Sequence, residues 1–446
     1  MLALFWAYFG LGLILLGYYE AAVPLSASFQ GITNFYVSPT TLSVGCLVWG
    51  VVAFAWWWAL AQCESRKKLD RKEIRQMCGG VLLLLIAGVL AKPVSSIDLF
   101  IYIINGRQIV HHGHSPYLYT PADSLPDPFL EQIGTVWFHV TAPYGVVALA
   151  LFSAATLIPW PTLWSAMVGM KAIMGLGVVA LVPVLSRVLR DDPLRYTKIA
   201  MIVSSPLVIW LYVVDGHNDV LGLLTLLWAV QLAKERRPAW SALVLALACG
   251  VKIVFLVVVP VLFCWLAHHS QRLSTIFTAV FSLAYGAMAA IGKGGEFAMT
   301  VYTDEIGLGL ANFIPRIFWF FDLPYSQVKL GSDIVFLVFG AVLCLSLLLG
   351  RFSDDPMFPT ALVCTVLVLS RTFWQAWYSI WFWPLLALCV RRKEAFFQIM
   401  ALWMVSVPLY SSHLIEMRDL KIAAMVFLSL FIVIRERRRV GSSEQK

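Results

Sequence analysis

Carboxylates, one histidine and two cations stand at the margins of apolar runs in this chain, and together they can do chemistry on a phosphate-bearing substrate. Asp98 heads a polar stretch that opens Lys92-Pro93-Val94-Ser95-Ser96-Ile97-Asp98 and closes Ala142-Pro143-Tyr144-Gly145. A partly desolvated carboxylate can take the proton of an attacking hydroxyl, which makes Asp98 a candidate general base. The competing reading is a helix N-cap, or a loop carboxylate paired with Arg107. Asp215-Gly216-His217-Asn218-Asp219 lies between two apolar spans. Gly, Asn and Asp are turn formers, which accounts for most of this group but not for its histidine. The functional reading gives His217 a phosphate or a sugar hydroxyl, and gives Asn218 or Asp219 directed hydrogen bonds to sugar hydroxyls. Lys252 and Arg371 also border apolar runs. Either they snorkel to the interface, or they neutralise a phosphate there, Arg through forked donors and Lys as a point charge. Trp374, Gln375, Trp377 and Tyr378 surround Arg371 with amphipathic rings, and Arg316 is a third cation of this kind.

Other candidates reduce to simpler roles. His111, His112 and His114 are poorly spaced for one tetrahedral site, with no carboxylate within a few residues, so no metal is expected. Asp191-Asp192 and Asp354-Asp355 each precede a proline and read as turns. Eight scattered cysteines form no CxxC pair and fall mostly inside apolar runs, which predicts neither a disulfide framework nor a zinc site. No segment resembles a nucleotide-binding α/β unit, and no cofactor is expected.

The elements that must position these residues are transmembrane helices. With 60% hydrophobic and 13% charged residues and a mean hydropathy of +0.81, the chain carries about half the charge of a soluble domain. Apolar segments recur near 3–18, 41–62, 79–93, 144–160, 163–186, 197–214, 219–234, 238–251, 253–267, 273–291, 333–350, 357–371, 374–390, 395–412 and 420–435. The reading is an all-α polytopic membrane protein, a single domain over 1–446 with about 13–14 transmembrane helices. The first run follows Met1 without a basic flank and reads as an uncleaved helix.

A net charge of +8 comes from clusters at 66–72, 234–237, 391–393 and 435–439, each flanking an apolar run. This is the positive-inside pattern of cytoplasmic loops, not a nucleic-acid footprint. Placing all four inside requires two adjustments. Segment 144–160 must not cross, and 238–267 must break at Gly250-Val251-Lys252 into two short helices. Then 92–162 is a long extracytoplasmic loop with surface helices, and 292–332 is a second one. Asp98, 215–219, Lys252, Arg371 and 413–419 all come to the extracytoplasmic face.

With Asp98, Tyr102, Gly106-Arg107, Gly113-His114-Ser115-Pro116-Tyr117, Pro143-Tyr144-Gly145, Gly216-His217-Asn218-Asp219 and Lys252 in order, residues 80 to 380 resemble the type C integral-membrane glycosyltransferases. More narrowly, they resemble the bacterial polyprenol-phosphate-mannose-dependent α-(1→6)-mannosyltransferases. The resemblance implies that Asp98 is the catalytic base and that Lys252 and Arg371 handle the donor phosphate, to which the residue reading above adds His217. It implies sugar or acceptor contacts from Tyr102, Arg107, Tyr117, Tyr144, Asn218 and Asp219. The expected partners are a polyprenyl-phosphate-sugar donor, a glycan or glycolipid acceptor and the lipid bilayer of a bacterial inner or plasma membrane. No second acidic residue adjoins Asp98, unlike the metal-dependent subtype. Two other readings stay open: a secondary transporter of polar solutes, for which an internal repeat and midplane polar residues are missing, and a polyprenyl-linked glycan ligase, which needs no base.

Overall fold

The computed structural model describes residues 71–91, 93, 96, 98–130, 138–158, 162–292, 325–352, 354–370, 376–411 and 418–443. The first helix, most of the loop 292–332, Arg316, Arg371, Trp374, Gln375 and residues 413–417 lie outside them. Among the described residues there are helices and no strand, and the chain is an all-α polytopic membrane protein.

The helices that matter here begin with α1 (Arg71–Leu90), α2 (Asp98–Val110), α3 (Val146–Thr156), α4 (Leu163–Val188) and α5 (Arg195–Val214). They continue with α6 (Asp219–Lys234), α7 (Pro238–Val251), α8 (Val259–His269), α9 (Gln271–Ile291) and α10 (Tyr325–Leu348). Then come α11 (Met357–Ser370), α12 (Trp383–Leu388), α13 (Lys393–Ser411) and α14 (Arg418–Ser443). Among the described residues, four stretches are long and apolar enough to cross a bilayer: Leu163–Val188, Arg195–Val214, Gln271–Ile291 and Leu330–Leu348, and six further apolar helices have only 10–17 residues. Leu176, Leu283 and Leu337, on three of the long helices, are 67%, 76% and 66% exposed, as a lipid-facing surface requires.

Two of the sequence-derived adjustments concern elements on view. Helix α3 has 11 residues, roughly 16 Å of helix against the ~30 Å hydrocarbon core. By itself it is shorter than that core is thick. Helix α7 ends at Val251, Lys252 is extended (φ −143°, ψ 125°), and a 3₁₀ turn over Ile253–Val258 leads into α8. The break therefore falls at Gly250-Val251-Lys252.

The described residues form two compact units, one holding those up to Pro183 with Tyr196–Leu221, the other Val184–Arg195 with Gly222 onward. In the first, α2 lies buried against α3, with Leu99, Tyr102 and Ile103 all inaccessible. Gly106 sets how close the two helices come. A Cβ there would run into the carbonyl oxygen of Phe152 and sit 2.8 Å from Thr156 Oγ1. Backbone cannot step aside as a flexible side chain can, so Gly106→Ala is expected to cost about 2–3 kcal/mol. A lowered Tm of the detergent-solubilised protein, read by size-exclusion after heating, checks this; an unchanged Tm contradicts the packing. In the second unit, α7 packs on α9, α8 on α9 and α10, and α13 on α14.

Candidate active site

Asp98 is the first residue of α2, and its own N–H donates to Ser96 Oγ at 3.1 Å. A carboxylate at a helix N-terminus is favoured by the unpaired amides and the helix dipole. One turn on, Tyr102 shares its face of the helix. Opposite them stands the 215–219 turn, which follows a π-helical turn at Ile209–Val214. Gly216 adopts φ +74°, and a Cβ there would lie 2.7 Å from Leu99 Cδ1. Here glycine is needed twice, for the left-handed backbone and for the close approach to α2.

That approach brings His217 Nδ1 to 3.5 Å from Asp98 Oδ2. The Asp98 side chain is 18% exposed and that of His217 is 0% exposed. Tyr102 donates to Asn218 Oδ1 at 3.4 Å, while Asn218 Nδ2 is buried with no acceptor among the described residues. Asp215, Asn218 and Asp219 are fully buried. Tyr102 stacks on Phe152 (centroids 4.5 Å apart) and meets Tyr144 edge-on at 5.0 Å. Burial, and then the nearby Tyr144, Asp98 and Asp219, hold the Tyr102 phenol well above its ordinary pKa, so it stays a hydrogen-bond donor. Tyr117 donates to the Tyr144 carbonyl at 2.6 Å, which fixes the entry to α3.

Arg107 does not pair with Asp98. Its guanidinium embraces Asp127, with Nε 2.9 Å and a terminal nitrogen 2.8 Å from Oδ2, and covers the Phe129 ring at 4.3 Å. Asp127 also receives His112 Nε2 at 2.8 Å and the N–H groups of Phe129 and Leu130. The partners visible for Arg107 and Tyr117 thus brace the long loop. The other two histidines go elsewhere, His111 to the Thr156 carbonyl and His114 to Ser124 Oγ.

Burial opposes the Asp127 charge, yet Arg107, His112 and the Phe129 amide outweigh it and hold the carboxyl below its usual range. A group with a depressed folded pKa stabilises fully above its unfolded value, about 3.9, and loses that contribution as pH falls through the folded value. The 107–130 brace is therefore expected to loosen on acidification below about pH 4. Asp127→Asn should loosen it at neutral pH by about 3 kcal/mol, since it strands a largely buried guanidinium. Faster hydrogen exchange at the Phe129 and Leu130 amides reads both effects, and unchanged exchange in the variant would rule the brace out.

In the second unit, the Lys252 ammonium lies 4.8 Å from the Tyr378 ring and 5.3 Å from the Trp381 ring, which stack on each other at 4.2 Å. The extended backbone at the α7 break presents this cation to two aromatic faces. Arg371 lies outside the described residues.

Sequence reasoning gave no role to Asp127 or to Lys171. The second of these left a signal, a lone cation inside the apolar run 163–186. Lys171 is inaccessible, donates to the Ala91 carbonyl and feels the charge of Asp215.

Residues 7–268 match the family model described as "Alpha-(1->6)-mannopyranosyltransferase, N-terminal domain". Alpha-(1->6)-mannopyranosyltransferase A of Mycobacterium tuberculosis is 26% identical over 240 residues, 52% of this chain and 45% of that relative. The chain thus spans less than half the length of the curated relative it matches. No solved structure matches it. Since the family match covers more than half of its 446 residues, the chain belongs to the alpha-(1→6)-mannopyranosyltransferase family.

Proposed function

We propose that this protein transfers a hexose, most simply mannose, from a polyprenyl-phosphate donor to a hydroxyl of a glycan or glycolipid on the extracytoplasmic face, with inversion at C1. The observation that carries the reading is Asp98: a carboxylate left 18% exposed beside inaccessible His217 and above a buried polar floor. Family membership supports mannose as the sugar and an α-(1→6) linkage.

In this mechanism the acceptor oxygen attacks C1 while Asp98 takes its proton. The C1–O bond to phosphate breaks, and its electron pair leaves on the phosphate oxygen. Lys252 and Arg371 are the proposed partners of that phosphate, which lower the cost of the charge it gains. His217 is too buried to serve first as a phosphate ligand, and its place at 3.5 Å suits a role in orienting Asp98 and sharing its proton. Asn218 Nδ2, polarised by the Tyr102 hydrogen bond, is the proposed donor to a sugar hydroxyl.

The test is purified protein supplied with a panel of polyprenyl-phospho-hexoses and glycan acceptors, with product linkage read by nuclear magnetic resonance. Turnover with the mannosyl donor alone is the expected result. Transfer of whole glycans instead would make the protein a ligase, and solute uptake by proteoliposomes without turnover would make it a transporter.

A further inference from the structure

An ammonium buried in a helix that crosses the membrane is costly unless it is paired, so its partners indicate what it is for. Lys171 sits in the first half of α4 and is inaccessible. Its first partner is the Ala91 carbonyl, 80 residues earlier, just past the end of α1 and at the start of the segment that delivers Asp98. A second is the charge of Asp215, also inaccessible, which begins the turn that delivers His217. Its stem lies against that turn as well, with Cγ 3.1 Å from the position of a Cβ on Gly216. One side chain thus touches both segments whose ends carry the Asp98–His217 pair, and it does so while itself inaccessible.

Resting on the transferase reading above, we infer that Lys171 is a positioning residue: its ammonium on the Ala91 carbonyl and its stem against Gly216 set the separation of Asp98 and His217. It makes no contact with substrate. Its effect on the reaction runs through the base, because it joins the two segments on the side of Ala91 and Gly216, apart from the Tyr102–Asn218 hydrogen bond and the packing of Leu99.

The test uses the double variant Lys171→Met/Asp215→Asn in the full chain. Either single change would strand a buried charge, whereas the pair removes both and Met keeps the lysine's volume. The variant is expected to fold, with kcat down by about 10- to 100-fold from a displaced base and donor KM within about twofold of the parent. Adding Asp98→Asn to it should lower kcat no further than Asp98→Asn does alone, since both act through one group. Independently of turnover, the amides of Asp98 and His217 should exchange about tenfold faster, with α3 unchanged. The inference requires the exchange result and, where the parent turns over, the kcat result also. It is overturned by parent-like exchange, by parent-like kcat, by a loss confined to KM, by multiplying losses with Asp98→Asn, or by failure of the double variant to fold, which would make Lys171 a plain structural residue. If the parent protein transfers no sugar, the transferase reading falls and the exchange arm alone decides this one.

Discussion

Asp98→Asn should lower kcat by about 10²- to 10⁴-fold, the span that a positioned general base contributes. Asparagine keeps the size of the side chain, but its amide cannot take the hydroxyl proton. The N-terminus of α2 accepts Asn nearly as well as Asp, so the helix should keep its start. Donor KM is expected to stay within about threefold, because the change removes an interaction made only in the transition state. Initial rates against donor concentration decide the matter. A variant that kept more than a tenth of parental kcat would remove Asp98 from the role of base. His217 offers a control within the same pair: His217→Gln should lose less than Asp98→Asn, and the combined variant no more than Asp98→Asn alone.

The second large effect is expected at Lys252. If its ammonium holds the donor phosphate, Lys252→Met removes a charge-assisted contact worth about 1.5–3 kcal/mol, or about 10- to 100-fold in kcat/KM. Lys252→Arg should recover part of this, because the charge remains while the shape at the Tyr378 and Trp381 rings changes. A donor lacking the phosphate charge, such as a neutral phosphonate ester, should discriminate little between parent and variant. If Lys252→Met left kcat/KM intact with the natural donor, the lysine would be an interfacial cation resting on aromatic rings and nothing more.

Asp98 and Lys252 stand out in the sequence because a charge beside an apolar run is an anomaly that it displays directly. The break at Lys252 was readable for the same reason, since Gly250 and Lys252 together tax a continuous span. The helical class followed from the length and polarity of the runs. Hydropathy alone does not say which runs cross, because an apolar run of 11 residues such as α3 is equally apolar whether it crosses the bilayer or lies within a loop.

Roles within the cluster depended on contacts that have no periodicity. His217 was assigned to phosphate from its type alone, and its inaccessible seat against Asp98 gives it a different neighbour. Arg107 was weighed as a partner of Asp98, nine residues away, but its fork fits Asp127 on the far side of a turn, where two backbone amides already converge. Lys171 received no reading from the sequence, and its reach across 80 residues to the Ala91 carbonyl is visible only in the structure.

By itself, then, the sequence determined the solvent this chain folds in, the places where its helices break, and which polar residues are too expensive to be incidental. Those are local matters of transfer free energy and backbone stereochemistry, written residue by residue. Only the tertiary structure decided which of those residues meet. The pairing of Tyr102 with Asn218 across 116 residues, and of Asp98 with His217 beside it, accompanies the close approach of Gly216 to Leu99. Such packing depends on the joint shape of many side chains at once, and no single stretch of the chain records it.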